Sequence, residues 1–395
     1  MSPATLDQLP AVLMQWLLSF FPAVLQPWVQ ALVVIAAIIG VFATLFAFTT
    51  VVERKVLGRI QNRHGPNRVG PRGFLQFAAD GVKSLIKEDI VPYSADQVVH
   101  FLAPISMVIP MITLFAVLPL GRNLVPIELD ASLLFFFAVG AGAELSIFMA
   151  GWSSRNKYSL LGAMRAVAQM ISYEIPLVLA TVPVIMLTGT LSLTKIAESQ
   201  AAGPGEWLAN WNVFTPWGLA GFVFFLIASF AETNRSPFDL PEAESEIIAG
   251  YLTEYSGFKF ALFFLAEYFG MFAISIVAIT LFLGGWQPPF GFAILQWIPS
   301  WLWVFGKLGA MIIFFIWVRG TLPRLRMDQL MSFAWKFLIP LTLINVVNAG
   351  LWRFLGEGIT RWIVCGALIA GAYVWFGRGL SAAGGFAPRK YRYAE

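Results

Sequence analysis

Long uncharged stretches separated by short polar ones set the pattern of this chain. No charged residue stands between Ala11 and Val52. A hydrocarbon core of ~30 Å takes about 20 apolar residues as a helix. Pro10, Pro22 and Pro27 break the first part of that run, so the first span is predicted at Trp28–Val51. Further spans are predicted at Phe101–Leu120, Ser132–Gly151, Ala168–Thr188, Pro216–Ala231, Phe260–Gly284, Trp301–Val318 and Phe337–Trp352. Trp362–Phe376 is a shorter ninth. Ala11–Phe21 is too short to cross and reads as interfacial; no basic residue precedes it, as a signal peptide requires. With no internal repeat and no Gly/Ser-rich linker, residues 1–395 read as one membrane domain.

Composition agrees with the pattern over the whole length. The 395 residues are 58% apolar and 12% charged, where a soluble chain is typically about 45–50% and about 25%. That excludes an ordinary soluble domain, a disordered chain and a nucleic-acid binder. It leaves an all-α fold, a polytopic transmembrane helical bundle. The single cysteine, Cys365, cannot supply the about four thiolates of an iron–sulfur cluster. His64 and His100 are the two histidines. The expectation is a chain with no redox centre of its own: no haem, no iron–sulfur cluster, no flavin.

Charge gives the orientation. With the N-terminus outside, five basic residues fall on the outer side: Arg122, Lys195, Lys307, Arg353 and Arg361. The other 21 of the 26 fall inside, as the positive-inside rule requires. Trp207, Trp211, Trp217, Trp286, Trp297, Trp301 and Trp303 gather around the two outer loops, as interfacial aromatics do.

The longest polar segment, Glu53–Pro92, follows the first span. Arg54, Lys55, Arg59, Arg63, Arg68 and Arg72 lead into Arg72–Lys87. There Phe74, Phe77, Ala78, Val82 and Leu85 fall on one face, and Gln76, Asp80, Lys83 and Lys87 on the other, which predicts a short amphipathic helix in the membrane surface. Positive-inside anchoring accounts for the basic residues. It does not account for Glu53, an acid at a helix end that needs a partner or a wet cavity.

Four carboxylates interrupt apolar spans: Glu144, Glu174, Glu232 and Glu267. At ~2.5–3.5 kcal/mol each they sum to roughly 10 kcal/mol, too much without a compensating environment. They are predicted to face the protein interior or water and to mark a proton path. The inner loop Ala231–Tyr255 adds Asp239, Glu242, Glu244, Glu246 and Glu254 around Arg235. Asp239 and Glu242 are spaced as a capping box, with Pro241 suited to a first turn, and Glu242 and Glu246 share a face. After the seventh span, Arg319, Arg324 and Arg326 stand ready either as anchors or as partners for Glu53 or the acidic loop.

Two of these segments, ERKVLGRIQNRHGPNRVGPRG and PFDLPEAESEIIAGY, together with PRLRMDQLM, resemble the quinone-chamber membrane subunit of respiratory complex I. That family comprises the H subunit of bacterial NADH:quinone oxidoreductase and its mitochondrial counterpart, NADH dehydrogenase subunit 1. The resemblance covers about Trp28–Trp352, with the motifs in the right order at the right spans. It implies a tilted eight-helix bundle and quinone intake between the first span, the amphipathic helix and the sixth span; the tail beyond Trp352 departs from that eight-helix core, and some bacterial relatives carry an extra helix there. It implies that Glu53, Arg54, Lys55, Phe238 and Arg326 line or brace the chamber. It implies an acidic path of Glu144, Glu174, Glu232, Glu242, Glu244, Glu246, Glu254 and Glu267 toward proton-pumping subunits. The implied partners are peripheral-arm iron–sulfur and quinone-site subunits, other membrane-arm subunits, quinone as substrate and the lipid of a bacterial inner membrane. Pro241 departs from the Ser or Thr of many relatives. A homologous subunit of an energy-converting hydrogenase and a stand-alone proton-coupled transporter are the alternatives; the latter usually shows repeated halves, which this chain lacks.

Overall fold

A computed structural model describes residues 3–202, 209–239, 249–292, 295, 297–356 and 358–383. The regular elements among them are helices. In chain order they are α1 Pro3–Leu18, α2 Gln26–Ile60, α3 Gln76–Ile86, α4 Gln97–Leu114, α5 Ser132–Gly140, α6 Gly142–Ser153, α7 Lys157–Thr188 and α8 Leu193–Ser199. They continue with α9 Pro216–Glu232, α10 Gly257–Phe282, α11 Ser300–Thr321, α12 Met327–Phe333, α13 Ile339–Phe354 and α14 Ile359–Ala383. Among the described residues eight stretches are long and apolar enough to cross a membrane, and α9 is a shorter apolar helix of 17 residues. Together they match the nine spans that the hydrophobic pattern predicts.

The bundle is built around α10. In its most apolar window 72% of the residues are buried, against 11% for α2 and 6% for α14 at the periphery. Phe269 and Phe272 of α10 pack with Phe42 of α2 and Phe115, the Phe42 and Phe115 ring centroids lying 3.9 Å apart. The helix ends where Gly284 and Gly285 take positive φ. A Cβ on Gly284 would lie 2.2 Å from Trp211 Nε1, so only glycine fits. The Lys307 ammonium donates to the carbonyls of Leu283, Gly285 and Gln287 at 2.6–2.7 Å, satisfying acceptors that the end of the helix leaves without helical partners.

Three boundaries differ from the sequence expectation, each for a local reason. Helix α2 runs 35 residues, about 52 Å at 1.5 Å per residue. Glu53, Arg54, Lys55 and Arg59 therefore stand on its last turns rather than in a loop, since Glu, Arg, Lys and Leu continue a helix readily. The expected single span Ser132–Gly151 breaks at Ala141 into α5 and α6, where Gly142 packs on Pro110. The eighth span begins ten residues earlier than expected, at Met327. A wide π turn, Ala334–Leu338, joins α12 to α13. It stands just before Pro340, whose ring an ordinary helical turn would not accept.

The amphipathic segment is shorter than expected, Gln76–Ile86. Gly70 and Gly73 have positive φ, and a Cβ at Gly73 would strike the Pro66 carbonyl at 2.2 Å. This turn consumes the first residues of the expected helix. Phe77 packs on Phe48 of α2, whereas Val82, Leu85 and Ile86 are exposed. An apolar face turned away from the protein is what an interfacial helix offers to lipid.

Candidate functional site

Glu53 is the most heavily coordinated acid among the described residues. It is 5% exposed. Arg319 of α11 is bonded to its Oε1, Arg235 reaches the same oxygen at 3.3 Å, and the Tyr268 hydroxyl of α10 donates to Oε2 at 2.5 Å. Four segments of the chain thus meet on one carboxylate. The Arg235 guanidinium also lies over the Tyr268 ring, 4.1 Å from its centroid. Burial works against the Arg235 charge, yet the neighbouring Tyr268, Glu53 and Glu267 outweigh it and hold its pKa above the usual arginine value.

Arg54, the sequence neighbour of Glu53, turns away from it and pairs with Asp80 of α3 at 2.5 Å, half-exposed. Successive helical residues point about 100° apart, so neighbours in sequence do not face each other. Lys55 donates to the Arg72 carbonyl at 2.7 Å and lies over the Phe74 ring, bracing the turn before α3. The Arg326 backbone N–H donates to the Gln329 side chain at the start of α12. Phe238 is buried against Tyr173, ring centroids 5.4 Å apart.

The segment after α9 is tied down at several points. Gln169 of α7, fully buried, donates to the carbonyls of Ala231 and Phe238 at 2.7 Å. Asp239, 3% exposed, accepts from Arg324 at 2.8 Å. The Leu325 N–H donates to the Pro237 carbonyl at 3.1 Å. The sequence leaves two options for the arginines after the seventh span, and the structure uses both: Arg319 takes Glu53 and Arg324 takes the acidic loop. Glu242, Glu244 and Glu246, with the capping box at Pro241, lie outside the described residues.

Beside this node a cavity brings together Glu174 of α7, Glu232 at the end of α9 and Glu267 of α10. Met107, Met111, Phe136, Phe137, Leu177 and Ile274 supply apolar wall. Water-sized molecules can centre themselves in about 50 Å³ of it, several times the ~10–15 Å³ that one water needs. Glu144, in the first turn of α6, lies within electrostatic reach of Glu174 and Glu232. The break at Ala141 presents Glu144 to the start of a helix, where backbone N–H groups favour negative charge. Glu144 Oε1 and Glu232 Oε2 are buried without a hydrogen-bond partner among the described residues. Glu267 accepts from the Tyr251 hydroxyl at 2.8 Å, and Glu254 from Asn156 at 2.7 Å.

The node and the cavity share two short stretches of chain. Thr233 and Asn234 line the cavity, and Arg235 binds Glu53. Glu267 lines the cavity, and Tyr268 binds Glu53. Arg235, Tyr268, Gln169 and Tyr251 are not among the site residues expected from sequence. Arg235 is visible there as a lone cation among acids; nothing in the sequence separates Tyr268 from eight other tyrosines.

Comparison with known proteins agrees with this architecture. The family model described as NADH dehydrogenase matches residues 33–350. The NADH-quinone oxidoreductase H subunit of Dehalococcoides mccartyi (strain CBDB1) is 45% identical over 361 residues, 91% of this chain and 98% of the relative. The protein of the same name from Rubrobacter xylanophilus is 46% identical over 333 residues, covering 84% and 96%. That from Polaromonas naphthalenivorans is 44% identical over 336 residues, covering 84% and 93%. The chain belongs to the NADH dehydrogenase family that this model describes.

Proposed function

We propose that this chain forms the membrane part of the quinone chamber in a proton-translocating NADH:quinone oxidoreductase, and that its acid cavity couples quinone reduction to proton pumping. In this reading the N-terminus lies outside a bacterial inner membrane and the basic loops face the cytoplasm, against the iron–sulfur and quinone-site subunits of the peripheral arm. Glu53, Arg54, Lys55, Phe238 and Arg326 line or brace the chamber. Arg235, Arg319 and Tyr268 hold Glu53 there. Glu144, Glu174, Glu232, Glu254 and Glu267, with Glu242, Glu244 and Glu246 of the acidic loop, form the path.

One observation carries the reading. Residues 233–235 and 267–268 each touch both the Glu53 node and the acid cavity. A change of charge at the node, such as quinone reduction brings, acts on Arg235 and Tyr268 and through them on the cavity acids beside them. Such coupling needs a chain of contacts with a charge at each end, and both are present.

Gln keeps the shape and hydrogen bonding of Glu but carries no exchangeable carboxyl proton. Glu144→Gln and Glu267→Gln are expected to lower proton pumping and coupled quinone reductase activity together, in a complex that still assembles. Donor-driven acidification in proteoliposomes, with native-gel assembly alongside, measures this. Wild-type pumping from both variants would overturn the acid path.

A further inference from the structure

Gln169 lies on α7 and is fully buried. Its Nε2 is 2.7 Å from the Ala231 carbonyl, in the last turn of α9, and 2.7 Å from the Phe238 carbonyl, with Asn234 Oδ1 at 3.3 Å. Both short contacts are to oxygens that only accept, which fixes the amide with its nitrogen toward them. The two N–H bonds of an amide nitrogen diverge, so one side chain serves both carbonyls. Oε1 is buried and meets no partner among the described residues. A leucine or methionine would fill the space without that cost. The NH2 group, not the bulk, is what this side chain contributes.

We propose that Gln169 is a positioning residue that acts through Arg235: its amide closes the turn after α9 and so holds the Arg235 guanidinium on Glu53. This rests on the reading above that the Glu53 node takes part in quinone reduction and its coupling. The turn has backbone bonds of its own. The N–H groups of Thr233, Asn234 and Arg235 donate to the carbonyls of Ser229, Ala231 and Phe230, and that of Phe238 to the carbonyl of Arg235, at 2.9–3.3 Å. These bonds span residues 229–235 and 235–238. Gln169 joins the two halves, reaching from residue 231 to residue 238 with Arg235 between its two anchor points.

Arg235 depends closely on where that turn sits. It is buried, its Nη1 reaches Glu53 at 3.3 Å, and its guanidinium lies over the Tyr268 ring. A distance of 3.3 Å is at the long end for such a bond, so a small shift of the turn breaks it. Asn234, just before it, takes a left-handed φ of 49°, less favourable than the ordinary helical region even for asparagine. The Gln169 amide also reaches the side chain of this residue. The helix that carries Gln169 is itself anchored beside the turn. One helical turn on, Tyr173 packs on Phe238 and donates to the Leu330 carbonyl of α12 at 2.9 Å.

The test uses the whole complex in proteoliposomes, with the quinone reductase rate measured per assembled complex. Gln169→Met keeps the length of the side chain and loses both donors. It is expected to lower the rate about fivefold or more, and Arg235→Gln at least as much. Residues that act as a unit are not additive. Adding Gln169→Met to Arg235→Gln should therefore cost less than about a further twofold. A side chain that only packs would cost the same factor in both backgrounds. Arg235→Lys serves as the background if Arg235→Gln leaves no measurable rate. Gln169→Asn, whose amide is one methylene too short to span both carbonyls, replaces Gln169→Met if that variant does not assemble. A wild-type rate in the Gln169 variant, the full loss repeated in the double variant, or failure of both Gln169 variants to assemble would overturn the proposal. Arg235→Gln alone separates the failures. If it works at the wild-type rate, the node takes no part in the reaction and the underlying reading falls. If it is slow while Gln169→Met is not, only the role of Gln169 falls.

Discussion

Glu53 and Glu232 are the same side chain, the first buried and the second half-buried, both toward the C-terminal ends of helices, in opposite surroundings. Glu53 is met by two guanidinium groups and a tyrosine hydroxyl. Glu232 lines a mostly apolar cavity with two other glutamates, and one of its oxygens is bonded to nothing among the described residues. A compensated buried charge is costly to remove, because its partners are stranded. An uncompensated one is costly to keep, and neutral isosteres relieve it. The first arrangement suits an acid that holds a structure together. The second suits one whose charge is meant to change.

The largest effect that would break this contrast is at Glu53. Glu53→Ala strands Arg235 and Arg319 and should destabilise the subunit by about 3–5 kcal/mol, with a marked drop in assembled complex and in quinone reductase activity. Thermal unfolding and native-gel yield check it. Wild-type stability would show that the node is not a brace. Glu232→Gln should do the reverse: assembly at wild-type level or better, with pumping reduced roughly 10-fold as proton exchange is lost. Acidification assays with a gel control decide. A variant that pumps normally would make Glu232 a passive cavity wall.

The smallest effect sharpens the edge of the node. Arg54 and Asp80 are 53% and 40% exposed, and such a pair contributes at most about 1 kcal/mol. Arg54→Ala should leave stability within that range and change the quinone KM by no more than about threefold. Steady-state kinetics on the assembled complex measure it. A much larger rise in KM would place Arg54 against the quinone itself rather than against α3.

The number of spans, the interfacial helix and the unusual acids are legible in the sequence because each leaves a one-dimensional trace. Apolar run length counts the spans, a 3.6-residue period marks α3, and a carboxylate in an apolar run stands out wherever it points. The breaks are less legible. Gly140 and Gly142 suit a break at Ala141, but glycines are frequent throughout this chain and nothing local distinguishes these two. The extension of α2 past Val52 is hidden because charge ends the hydrophobic run without ending the helix.

Residue type and run length alone establish a membrane bundle of nine apolar spans with buried acids that require an explanation. Those conclusions follow from transfer free energy, which depends on little else. Packing settled which cation answers which acid. Glu53 takes Arg235 and Arg319, 182 and 266 residues away, and not its neighbour Arg54. Packing also placed Glu174, Glu232 and Glu267 around one space and stacked His100 on Tyr255. Pairing energy depends on distance and burial, and both are set by how helices cross, which no local pattern encodes.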